Sequence, residues 1–105
     1  MTNTTAPEHD LEALIAWLSR HESRKAYNYL SNTECLLGQW LTHLGHTDFF
    51  VSGFGHYRLY DGEGTREYLQ FPYGWDTAAW GGNHPKFSKT TFGHALARFK
   101  ELSHA

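Results

Sequence analysis

A chain of 105 residues and 12.1 kDa provides for one domain and leaves no room for two. Hydrophobic residues at 40% and charged residues at 19% are a globular composition and not a disordered one. Nine Lys+Arg against eleven Asp+Glu give a formal charge of −2, which argues against a general nucleic-acid binder and equally against a densely acidic nucleic-acid mimic.

Residues 1–6 are small and polar and are expected to form a flexible tail, with a single α+β domain over 7–105. Pro7 suits the first turn of a helix, and Glu8, Asp10 and Glu12 suit its positive end. Leu11, Leu14, Ile15 and Leu18 recur at the spacing of one buried helical face, with Trp17 at the edge of that stripe; the helix is predicted from Pro7 to His21. Residues 26–30 read as a short extended connector. Ser31-Asn32-Thr33-Glu34 then matches the capping box S-x-x-E, and Leu36, Leu37, Trp40, Leu41 and Leu44 form an apolar stripe that Gly45 terminates. A second helix is predicted over 32–44.

From Asp48 to Phe71 the residues favour strands, with Gly53 and Gly55 marking a kink and Asp61-Gly62-Glu63-Gly64 a hairpin turn before a returning strand at 65–71. Residues 72–90 carry Gly, Pro and aromatic residues without a sustained period and are expected to form a long loop, a feature often tied to function. Thr91 can cap a last helix whose apolar stripe is Phe92, Ala95, Leu96, Phe99 and Leu102. The predicted fold is therefore α+β: two N-terminal helices, a small antiparallel sheet, a long aromatic loop and a C-terminal helix packed on the sheet.

Two segments, Cys35-Leu36-Leu37-Gly38-Gln39-Trp40-Leu41 and Thr91-Phe92-Gly93-His94-Ala95-Leu96-Ala97-Arg98, resemble a pattern in short proteins of proteobacterial and phage genomes. In those, a CLLxQ(Y/W)-type segment precedes a variable middle and a TFGxAL-type end. The resemblance covers these two short segments and implies a mobile-element or accessory-gene setting; it implies no mechanism.

Composition adds two pointers. Aromatics make up 16% of the chain, and eight histidines are present. Because histidine titrates near pH 6.5, full protonation would move the formal charge from −2 to about +6. Core filling and solvated surface residues are the ordinary explanations of the two figures.

Four kinds of chemistry can be drawn from these residues. Cys35 lies near a helix start, whose dipole lowers a thiol pKa, and His56 opens a later strand with Asp61 or Asn83 as orienting groups, the order of a papain-like hydrolase. The competing reading is a buried cysteine acting as a small hydrophobe. Histidines 43, 46, 84 and 94 (His43, His46, His84, His94) are the candidate metal ligands, but no established zinc spacing is present and no cofactor is expected. Asp61, Glu63, Glu67 and Asp76 with nearby aromatics suit carbohydrate binding, though acids at a hairpin tip commonly serve solubility. Lys86, Lys89, Arg98 and Lys100 against Glu101 make a local basic patch.

Protein binding is the reading preferred over these. Interface cores are rich in Tyr, Trp, Phe and Arg and poor in Lys and Glu. Between 71 and 87 stand Phe71, Tyr73, Trp75, Trp80 and Phe87 with only Asp76 and Lys86 charged, and Tyr73, Trp75, Trp80, Lys86 and Phe87 are the expected contact residues, Trp75 and Trp80 being the two expected to be exposed. The expectation is a cytoplasmic, non-enzymatic binding protein that occupies a surface of a larger host protein or ribonucleoprotein complex, in its most concrete form a phage or mobile-element inhibitor of anti-CRISPR type. Direct nucleic-acid or membrane binding is not expected; a homodimer through the same aromatic patch is the other arrangement it allows. The alternatives are a minimal cysteine hydrolase and a histidine-rich module responsive to metal or pH.

Overall fold

The computed structural model describes residues 6–31, 34–52, 55–60 and 69–104. The helix expected over 7–21 forms in two pieces, a 3₁₀ turn Pro7–His9 and the helix α1, Leu11–Leu18. Asp10 divides them. Its backbone is extended and its carboxylate accepts from the Ala13 N–H at 3.0 Å, so it is the N-cap rather than one more acid along a continuous helix. Leu14, Trp17 and Leu18 are buried, which brings Trp17 into the core from the edge where the stripe alone puts it.

The connector 26–30 contributes a single bridge, Ala26 to Thr91. Helix α2 spans Leu36–His43, four residues later than the capping box implies. Ser31 Oγ does accept from the Glu34 N–H at 3.1 Å, and the Ser31 carbonyl accepts from the Cys35 N–H, but these bonds close a turn ahead of the helix. The cap itself is Cys35, whose Sγ accepts from the Gly38 N–H at 3.2 Å. At the other end Gly45 adopts φ +102°, and the pair His46 N–H to Leu41 O and Gly45 N–H to Thr42 O completes a Schellman stop.

Strands β1 (Phe49–Val51), β2 (His56–Leu59) and β3 (Leu69–Gln70) form an antiparallel sheet in the order β1-β2-β3. Phe49 pairs with Leu59 and Val51 with Tyr57, and the alternation of β2 turns Tyr57 and Leu59 inward. The expected hairpin turn 61–64, and with it Asp61, Glu63 and Glu67, lies outside the described residues, as do residues 1–5 of the expected tail.

The stretch 72–90 is not one irregular loop. Helix α3, Trp75–Trp80, stands between Gly74 and Gly81, both left-handed with φ +90° and +68°. Trp75, Ala78 and Ala79 are buried, at the i, i+3, i+4 spacing of a helix face. Helix α4, Phe92–Ser103, is capped by Thr91, whose hydroxyl accepts from the His94 N–H.

The fold is α+β as the sequence predicts. Helix α4 packs directly on α1 and α3 and meets the sheet region through one column of rings. Tyr57 stacks on Phe71 at 4.2 Å, Phe71 on Trp75 at 5.8 Å, and Trp75 meets Phe99 edge-on at 5.8 Å. Trp75 is thus the layer between strand and helix. Among the described residues no helix is long and apolar enough to cross a membrane.

Candidate functional site

The segment that follows α3 is organised by a residue that sequence reasoning placed elsewhere. Arg98, counted in the surface basic patch, is 3% exposed. Its Nε donates to the Ala78 carbonyl at 2.5 Å, its Nη1 to the carbonyls of Phe87 and of Lys89, and its Nη2 to the Tyr27 hydroxyl at 2.7 Å. The Tyr27 hydroxyl in turn donates to the Ala79 carbonyl. One guanidinium therefore gathers a carbonyl from the C-terminal half of α3, where the helix dipole is negative, and two carbonyls of the following loop, and it reaches a second α3 carbonyl through Tyr27. Burial pushes the Arg98 pKa down and the Tyr27 phenol up to about 12, the nearby guanidinium offsetting part of the latter. A Cβ on Gly81 would lie 2.2 Å from Arg98 Cζ, so this position admits only glycine without displacement. Nothing in the local sequence marks Arg98 as buried; its place on the α4 stripe three residues after Ala95 and one before Phe99 is the signal available.

His84 closes the loop from the other side. Its Nδ1 accepts from the N–H groups of Lys86 and Phe87 at 3.0 and 2.8 Å, which places the ring proton on Nε2, and Nε2 donates to Glu101 at 2.8 Å. Phe87 lies between His84 and His94, with ring centroids 5.4 and 5.5 Å away, and Lys86 Nζ sits 5.7 Å over its face.

On this scaffold a groove of about 460 Å³ opens between α3, α4 and the loop, lined by Tyr73, Gly74, Thr77, Pro85, Glu101 and Leu102 among others. Tyr73 is fully exposed at its edge, Trp80 is 39% exposed with its ring folded over Gly82, Phe87 is half-buried and Lys86 exposed. Trp75 does not join them. At 2% exposure it is core, because the helical turn from Gly74 points it inward with Ala78 and Ala79. The expected contact set Tyr73, Trp75, Trp80, Lys86 and Phe87 is thus reduced at the surface to four residues.

Cys35 lines a smaller recess of about 190 Å³ with Tyr29, Ser31, Ser52, Asp76 and Ala79. Burial raises the thiol pKa above its ordinary value, and the backbone N–H groups around it offset only part of that. The dipole effect anticipated from the helix start is overcome by desolvation, and the sulfur serves as a hydrogen-bond acceptor in its thiol form. Neither His56 nor Asn83 lines this recess, and Asn83 lies instead on the α3–α4 groove. The carboxylate in this recess is Asp76, which the sequence grouped with the hairpin acids; it accepts from the Tyr29 hydroxyl at 2.7 Å. Burial raises its pKa, against the opposing pulls of Tyr29 and of His56. A protonated thiol beside a reluctant carboxylate is a poor start for nucleophilic attack.

The four histidines considered as ligands are dispersed. His43 stacks on Trp40 and lies tilted against Trp17, His46 pairs with Glu8 at 2.8 Å, His84 with Glu101, and His94 Nδ1 accepts from the Lys89 N–H at 3.1 Å. Among the described residues no group of three or more His, Cys, Asp or Glu is placed to hold a metal. Comparison with protein-family models, with curated proteins and with solved structures gave no match.

Proposed function

We propose that this chain is a non-enzymatic protein-binding module that uses the α3–α4 groove and its rim as the contact surface. The observation that carries the reading is Tyr73: a large amphipathic ring, fully exposed, held beside an apolar groove whose backbone Arg98 and His84 immobilise. A rigid scaffold presenting aromatic side chains loses little freedom on binding, which is what an interface hot spot requires. The partner in this reading is a larger host protein or ribonucleoprotein complex met in the cytoplasm, and the resemblance to phage and mobile-element proteins makes an inhibitor of anti-CRISPR type its concrete form.

The test is affinity capture from host lysate, followed by affinity measurement with the captured partner. Tyr73→Ala and Trp80→Ala are each expected to weaken binding by about 2 kcal/mol, the hot-spot scale, with little change in melting temperature. Unchanged affinity in both folded variants would remove the groove from the interface.

A further inference from the structure

Charge is unevenly distributed over this molecule. Segment 20–25 holds Arg20, Arg24 and Lys25 against Glu22, and segment 84–94 holds Lys86 and Lys89 with no acid, so the two together carry +4 in a chain of −2 and everything else carries −6. The fold clamps these segments side by side. The Tyr27 N–H donates to the Thr90 carbonyl at 3.0 Å, the Phe92 N–H to Lys25 at 2.8 Å and the Gly93 N–H to Ser23 at 3.0 Å. A Cβ on Gly93 would lie 2.7 Å from that of Ser23, so the close approach depends on glycine.

At their junction is a shallow depression of about 310 Å³ lined by Ser23, Arg24, Lys89, Thr91, Gly93 and His94. Lys25 flanks it over the Phe92 ring, and Lys86 over Phe87, which touches His94. Arg24, Lys25, Lys86 and Lys89 are all exposed, and among the described residues none forms an ion pair. The first N–H groups of α4 are already committed to Lys25, Ser23 and Thr91, so attraction here comes from side chains.

We propose that this face is a docking surface for an acidic segment of a protein partner. The proposal rests on the reading of the chain as a protein-binding module and adds the chemistry of what it binds. Four exposed cations outnumbering the nearby Glu22, set around two hydroxyls, match carboxylates, which accept from both. Nucleic acid fits less well, because Phe92 is fully buried and Phe87 is half-buried between two histidines, which leaves neither ring of this face open for base stacking. The depression adjoins the α3–α4 groove across Phe87 and His84, so one partner can engage both.

The experiment is an NMR titration of the isotope-labelled protein with a glutamate-rich peptide, a glutamine-rich peptide of equal length and an oligo-dT strand. The glutamate peptide is expected to shift the amides of residues 23–25 and 89–94, with an affinity that falls as salt is added. Arg24→Gln/Lys89→Gln and, independently, Lys25→Gln/Lys86→Gln are each expected to weaken it roughly three- to tenfold, with unchanged melting temperature since all four side chains are exposed. Equal response to the glutamine peptide, shifts confined to other residues, or tighter binding of oligo-dT at the same amides would each overturn the proposal. Because these probes do not involve the groove, their failure leaves the Tyr73 and Trp80 capture result standing, and the converse also holds.

Discussion

Two short segments are strapped onto this molecule outside its main helices and sheet, and they are fastened by different chemistry. The N-terminal strap, residues 6–10, is tied by histidines: His9 Nε2 to the Tyr57 hydroxyl at 2.7 Å and His46 to Glu8 at 2.8 Å, with Trp40 Nε1 donating to the Glu8 carbonyl. The loop after α3 is tied chiefly by Arg98, a cation at any working pH whose fork reaches three carbonyls and a hydroxyl. Burial lowers the pKa of His9 in the first fastening, whereas Arg98 keeps its charge in the second. The groove proposed to bind thus rests on a fixed cation with His84 beside it, while the N-terminal strap holds the histidine whose pKa burial depresses.

The largest effects should come from dismantling the second fastening. Arg98→Leu leaves the carbonyls of Ala78, Phe87 and Lys89 without their donor and is expected to cost about 3 kcal/mol or more, since each hydrogen bond to a charged group is worth about 1.5–3 kcal/mol. Arg98→Lys should recover less than half of that loss in denaturant titrations, because an ammonium cannot span the same four oxygens. Trp75→Ala belongs to the same scale, about 3–5 kcal/mol, since it empties the layer between sheet and α4. A near-neutral result for either variant would mean that the loop and α3 are held by something other than this network.

Smaller effects separate packing from chemistry at Cys35. Replacing it with alanine deletes the cap on α2 and is expected to cost about 1 kcal/mol, whereas serine, a preferred N-cap, should cost less. Alkylation of the thiol in the folded protein should be slow and should accelerate only as denaturant opens the structure. Fast alkylation in native buffer would return Cys35 to the list of nucleophiles.

The smallest effect tests the first fastening. Burial lowers the His9 pKa below 6.5, with Glu8 opposing. A histidine whose folded pKa is depressed contributes stability that is complete above the unfolded value and is lost as pH falls through about 6.5 toward the folded value. Melting temperature should therefore decline on acidification through that window, and His9→Gln should flatten the decline. Arg98 variants should keep the same pH slope as the parent protein.

Element types were legible where periodicity or capping was strong: the stripes of α1, α2 and α4, the Gly45 stop and the antiparallel sheet. Helix α3 was not, because six residues are too few to show a period and are helical only through the packing of Trp75, Ala78 and Ala79. The same fact explains the misplaced exposure of Trp75: in a stretch read as loop, nothing distinguishes an inward tryptophan from an outward one. Helix boundaries moved where a side chain competed for the cap, Asp10 within the first helix and Cys35 after Ser31. Arg98 was hidden for a further reason. Three of its four partners are backbone carbonyls, from α3 and the loop after it, and backbone acceptors leave no trace in a sequence.

The placement of the indoles gives the molecule a built-in optical division of labour. Trp17, Trp40 and Trp75 are 7%, 1% and 2% exposed, while Trp80, the last residue of α3, is 39% exposed. Three fluorophores report the integrity of the interior, and a fourth samples the solvent on the face proposed to bind. Iodide quenching should single out the long-wavelength component, and Trp80→Phe should abolish that component while the unfolding transition seen by the other three is retained. In such a variant, any remaining spectral change on mixing with a partner would be evidence that association is transmitted into the interior.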